Sequence, residues 1–191
     1  MAQKIADELG YKLEIVKLDW DSLVPAVQSG QVDCVIAGQS ITAKRLESVD
    51  FTDPYYYASI VTLVKKDGPY KDAKGLADLK GATATSQINT VWYDTCLDQI
   101  EDVNKLPAYE TTGTMLVSLE SGACDLICTD QPTAMAACVA YPDMEMLDFS
   151  SSDDNYQVSD EEINIGISVK KGNQELVDEI NEKGFSSLKE D

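Results

Sequence analysis

The run Gln28-Ser29-Gly30-Gln31-Val32-Asp33-Cys34-Val35-Ile36-Ala37-Gly38-Gln39 decides how the rest of the chain is read. It aligns without gaps against Glu120-Ser121-Gly122-Ala123-Cys124-Asp125-Leu126-Ile127-Cys128-Thr129-Asp130-Gln131. Each copy reads as a helix end, a Ser-Gly stop, a short apolar strand and a polar loop opening another helix. The echo is too short for a solenoid repeat. It points instead to two lobes built on one plan, each with an analogous loop at the carboxyl end of a strand. Such loops hold ligands in open α/β sheets, because backbone N–H groups and a helix N-terminus converge there. Two lobes with facing loops make a cleft.

Working outward, Ala2–Leu9 is amphipathic and Gly10 closes it; Lys12–Leu18 reads as a strand and Leu23–Ser29 as a helix. Val32–Ala37 is a buried strand, Thr42 caps the helix carrying Arg45, Asp53-Pro54 breaks it, and Ser59–Val64 is another strand. After the Lys/Asp/Gly/Pro-rich stretch Lys65–Lys74 the alternation restarts. It runs through Ala82–Thr85, Val91–Ile100, Lys105–Ala108, Gly113–Ser121, Asp125–Thr129, Pro132–Ala140 and Met144–Leu147. An acidic loop, Ser150–Asp160, precedes a last strand, Ile163–Val169, and a helix, Glu175–Leu188. Alternating strands and helices predict mostly parallel sheets with helices on both faces.

At 191 residues the chain can bury a core in one large domain or two small lobes. Its net charge of −19 repels phosphate backbones and anionic lipid, which argues against nucleic acid as a partner. Histidine is absent, which removes Cys–His and Ser–His–Asp catalysis and the usual zinc sites. No cofactor or metal is expected. The five cysteines form no CxxC pair, and Cys34 and Cys128 lie in apolar runs, so buried free thiols are expected rather than a disulfide framework.

Three groups of residues suit a small zwitterion. Gly38, Ser40 and Arg45 fit a carboxylate: glycine admits close backbone approach, serine donates, and arginine presents a bidentate fork. Almost all the cations are lysines. The bland alternative is a surface arginine at a helix start. The echo places Asp130 where Gly38 sits; it can receive an ammonium group or simply cap the helix ahead of Pro132. The uncharged loop Thr85-Ser86-Gln87-Ile88-Asn89-Thr90 can contact a carboxylate or cap the helix it opens. Trp20 can cover an aliphatic side chain or pack in the core.

At these residues the chain resembles the polar amino-acid solute-binding proteins of ABC importers. The likeness is carried by Leu18–Gly30, Asp33, Ala37–Thr42, Arg45 and Val49–Tyr56. It implies a two-lobed α/β fold of the type II periplasmic-binding-protein kind, each lobe a mixed sheet flanked by helices. Residues 1–65 with 165–191 would form the first lobe and 66–164 the second, with hinge crossings near Val64–Asp67 and Asp160–Ile165. By the same resemblance Trp20 packs over the bound side chain, Gly38 and Ser40 contact the α-carboxylate or the amine, and Arg45 clamps the carboxylate. Asn89 and Thr90 close on the carboxylate, Asp130 receives the α-ammonium, and Thr85 reads the side chain.

The loop Ser86–Asp94 resembles a Gram-positive branch in which glutamine is a frequent ligand. The implied function is non-enzymatic capture of a free amino acid, glutamine favoured, for the membrane subunits of an ABC importer. Localisation would be extracellular, as a lipoprotein when full length. Two rivals share the scaffold: a dehydratase using a cleft carboxylate, and the sensor domain of a receptor. The family pattern has a strand before the first helix and a helical segment after Asp191. The resemblance therefore implies a chain shortened at both ends, open to a swapped or edge-paired dimer.

Overall fold

In the computed structural model, which describes residues 1–185, both Ser-Gly stops end a helix in the same way. Gly30 and Gly122 have φ of 78° and 76°, a conformation glycine adopts without a Cβ clash. The next residue then donates its N–H to the last helical turn, Gln31 to Ala26 O and Ala123 to Ser118 O, each at 2.9 Å. This is a Schellman closure, and a strand follows each one.

In chain order the elements are α1 (Ala2–Leu9), α2 (Leu23–Ser29), β1 (Cys34–Val35), α3 (Ala43–Leu46), β2 (Val49–Phe51) and β3 (Tyr56–Tyr57). Then come β4 (Ile60–Lys65), β5 (Thr83–Thr85), β6 (Asn104–Lys105), α4 (Thr112–Glu120), β7 (Leu126–Asp130), α5 (Gln131–Ala140) and β8 (Met144–Leu147). The last are α6 (Asp160–Ile163), β9 (Asn164–Ile165), β10 (Ser168–Lys170) and α7 (Gln174–Glu179). The chain divides into two units, Met1–Tyr57 with the residues from Asp160 onward, and Ala58–Ser159.

In the first unit β10 lies between β1 and β2, antiparallel to both, and β3 pairs antiparallel with β9. Ile5 of α1 packs with Ile167, Val169, Val177, Ile180 and Phe185, while Val27, Val35 and Val49 form a second cluster. The second unit is built on a five-stranded sheet, β6-β5-β7-β4-β8. Its β6-β5-β7 half is parallel and its β7-β4-β8 half antiparallel. Side chains alternate between faces along a strand. Val61, Leu63 and Ile127 pack against Met115, Leu116 and Leu119 of α4 and Ala134 and Ala137 of α5.

Several expectations need correction: α3 ends at Leu46, before β2 rather than at Asp53-Pro54, and the expected strand Ile163–Val169 is divided among α6, β9 and β10. The paired strands are mostly antiparallel, and those of the first unit wholly so, because β10 and β9 return late in the chain to pair with β1, β2 and β3. The run Lys12–Leu18 is in no ladder, and Ile15 is 79% exposed. Its apolar content favours a strand, but a strand also needs a partner for its backbone groups. The helix expected over Val91–Ile100 is instead a π-wound turn, Trp92–Cys96, followed by a 3-10 turn, Leu97–Gln99.

The division between units also falls elsewhere than 65/66. Ile60–Lys65 hydrogen-bonds on both sides within the second unit, and Asn164–Ile165 pairs with Tyr56–Tyr57 in the first. The last helix continues as a π-wound turn over Ile180–Gly184. The part of it expected over 186–188 lies outside the described residues.

Candidate functional site

The first unit gathers Trp20, Gly38, Ser40 and Arg45 around the loop that follows β1. Thr42 caps α3 by accepting the Arg45 N–H at 3.3 Å, which is the role its position before an apolar helix predicts. That cap fixes the direction from which the Arg45 side chain leaves. The guanidinium donates from Nη1 to the Ser40 carbonyl at 3.0 Å. Its central carbon lies 5.6 Å from the centre of the Trp20 ring, within cation–π range. Arg45 is the only arginine in the chain.

The loop itself is held from below. Gln39 is buried; its side-chain oxygen accepts the Ser168 hydroxyl at 2.7 Å, and its carbonyl accepts the Gly166 N–H at 3.2 Å. Ser40, also buried, bridges to Ile165. Gly38 has φ of 73° and donates its N–H to the Tyr55 hydroxyl at 3.2 Å. Burial raises the Tyr55 pKa, and accepting that N–H offsets part of the rise. Tyr55 and Gln39 lie within the resembling stretches, yet the residue types alone assigned them no part in the site. A tyrosine hydroxyl under a glycine N–H becomes visible only when the loop is folded.

In the second unit β5 and β7 are adjacent and parallel, with Thr85 opposite Ile127. The loops after Thr85 and Asp130 therefore leave the sheet at the same end. The Ser86 hydroxyl ties them together by donating to the Cys128 carbonyl at 2.6 Å. Thr85 is buried and donates its hydroxyl hydrogen to the Pro107 carbonyl at 3.0 Å. Thr90 donates to the Gln87 carbonyl at 2.6 Å and accepts the Tyr93 N–H at 3.3 Å. Asn89 between them has φ of 56°, a left-handed conformation that asparagine tolerates better than most residues.

Asp130 caps α5. One carboxylate oxygen accepts the Thr133 N–H at 2.8 Å and the other accepts the Thr133 hydroxyl at 3.0 Å. The capping role read from the sequence is thus present, and a carboxylate has about four acceptor positions in all.

Each unit thus carries its own cluster: a fixed guanidinium with a left-handed glycine loop in the first, and a capped carboxylate beside two buried threonines in the second. Among known proteins, the chain is 37% identical to the arginine-binding extracellular protein ArtP of Bacillus subtilis (strain 168) over 91 residues, 48% of this chain and 34% of that one. It is 28% identical to a probable histidine-binding protein of Campylobacter jejuni over all of its own length and 70% of that protein. The fold matches that of an ancestral arginine-binding protein bound to glutamine, with a TM-score of 0.77 and 32% identity, covering 100% of this chain and 80% of that one. The chain thus spans only part of each of these proteins, about a third of ArtP. Over residues 1–191 the sequence matches the model of the bacterial extracellular solute-binding proteins, family 3, and the chain belongs to that family.

Proposed function

We propose that this chain is the substrate-binding part of an ABC importer and captures a free polar amino acid without covalent chemistry. The observation that carries the reading is the setting of Arg45. A guanidinium presents its donors in a rigid fork, and the contacts to Ser40 and Trp20 hold that fork in one orientation. A ligand carboxylate is recognised best by a fork whose direction is already set.

In this reading Arg45, Gly38 and Ser40 receive the α-carboxylate, with Asn89 and Thr90 closing on it, and Asp130 receives the α-ammonium. Trp20 covers the ligand side chain, and Thr85 reads its polar end. Because Thr85 already donates to Pro107, its oxygen meets the ligand as an acceptor. That suits a side chain ending in N–H groups, such as glutamine, the favoured ligand. The two units close on the ligand by a hinge movement, and the full-length protein works extracellularly as an anchored lipoprotein with importer membrane subunits.

A thermal-shift screen against the common amino acids tests this. A ligand that binds only the folded chain stabilises it by about 2.7 kcal/mol at a hundredfold excess over its dissociation constant. Glutamine or another polar amino acid should raise the Tm of the wild type and leave Arg45→Ala unmoved. Folded wild-type protein unmoved by every amino acid would defeat the proposal.

A further inference from the structure

Gly38 is the least constrained residue of the loop that follows β1. Its φ is 73°, and a Cβ built on it would meet no atom within 4 Å. Packing on that side therefore does not hold the left-handed turn, and glycine by itself visits many backbone states. The two residues after it are anchored: Gln39 meets Ser168 and Gly166, and Ser40 bridges to Ile165. What reaches Gly38 is the Tyr55 hydroxyl, which accepts its N–H at 3.2 Å. Tyr55 is itself fixed at both ends. Its backbone N–H donates to the Ile165 carbonyl at 2.9 Å, and its side chain packs against the cluster that holds Ile5, Ile167 and Val169. Gly38, Tyr55, Ile165 and Ser40 thus close a ring of contacts built on Ile165, which is buried.

We infer that Tyr55 is a positioning residue for ligand capture: its hydroxyl sets the Gly38 turn in the conformation that receives the amino acid. The inference rests on the binding role proposed above for Gly38, Ser40 and Arg45. A loop already in its bound conformation has less freedom to lose when the ligand arrives. Tyr55 acts through Gly38, so losing the hydroxyl weakens binding while every group that touches the ligand stays in the chain. A tyrosine that only filled the core would behave differently, since its replacement would change stability and leave affinity alone. Phenylalanine separates the two roles, because it keeps the ring and removes the acceptor.

The test is isothermal titration of wild type, Tyr55→Phe, Gly38→Ala and the double variant with glutamine and with each other amino acid that raises the wild-type Tm. Tyr55→Phe should lose about three- to tenfold in affinity, the size of one hydrogen bond. Its unliganded Tm should stay close to that of the wild type, because Gly38 is exposed and its freed N–H meets water. Gly38→Ala strains the turn and should weaken binding by itself. In that background Tyr55→Phe should cost little more, since both changes act on one turn. Hydrogen exchange of the unliganded wild type should show the Gly38 amide slower than in an unstructured peptide, and faster again in Tyr55→Phe. Equal affinity of Tyr55→Phe and wild type for a bound amino acid overturns the inference and leaves the binding proposal standing. Losses in the two single variants that simply add overturn it as well. So does a wild-type Gly38 amide that exchanges at the unstructured rate, which decides the matter even if the variants fail to fold. Folded wild type that binds no common amino acid defeats the binding proposal, and this inference with it.

Discussion

Under the proposed function, Arg45 and Asp130 each serve structure and recognition with one side chain. Arg45→Lys keeps the charge but loses the planar fork, so affinity for the amino acid should fall about tenfold or more, roughly 1.4 kcal/mol, in calorimetric titration. Asp130→Asn keeps an acceptor for the Thr133 N–H and removes the charge. It should weaken binding with little change in the unliganded Tm, whereas Asp130→Ala should also cost about 1 kcal/mol of stability from the lost cap. Wild-type affinity in Asp130→Asn would contradict the ammonium role.

Away from the candidate site, Asp50 accepts from Lys171 and from the Gly172 N–H at 2.7 and 2.6 Å. Those two bonds hold its carboxyl below the usual range. A carboxyl depressed in the folded state stabilises it above the unfolded value of about 4, and the benefit disappears as pH falls through the folded value. The Tm deficit of Asp50→Asn should therefore be present at neutral pH and vanish in strong acid. At this scale the sequence was legible where chemistry is local: Thr42 and Asp130 read as caps, and both cap. It was silent where a partner comes from far along the chain, as Ser168 does for Gln39, or where Tyr55 meets Gly38.

At the scale of elements the second unit depends on β4, which pairs on both edges and is buried along five of its six residues. Leu63→Ala leaves a cavity between the sheet and α4 and α5, and should cost about 2–5 kcal/mol in denaturant unfolding. A loss below about 1 kcal/mol would mean that the site collapses freely. The apolar runs and Ser-Gly stops made the helices and buried strands legible, because burial periodicity and cap chemistry are written in adjacent residues. Strand direction was not: β10 pairs with β1 and β2 across more than a hundred residues, and no local pattern encodes that return.

Lys12–Leu18 marks the same limit. Its composition is that of a strand, while Ile15 and Val16 stand exposed and its backbone joins no ladder among the described residues. We expect this segment to support edge pairing between two copies. Sedimentation should then show a dimer that grows with concentration and is lost in Ile15→Lys; a monomer at all concentrations would contradict the pairing.

For the whole molecule, an internal echo of twelve residues pointed to two lobes. Each copy holds a helix stop followed by a strand, with matched closures at Gly30 and Gly122. The net charge of −19 coexists with a guanidinium-based candidate site, since recognition depends on a few oriented groups rather than on total charge. The central claim is that the chain holds an amino acid by both α-groups. Isothermal titration should compare the amino acid that binds best with its α-carboxamide and its N-acetyl derivative. The account predicts saturable one-to-one binding of the parent, with each derivative weaker by at least tenfold, about 1.4 kcal/mol. Equal affinity for all three would contradict it, since neither Arg45 nor Asp130 could then be the recognising group.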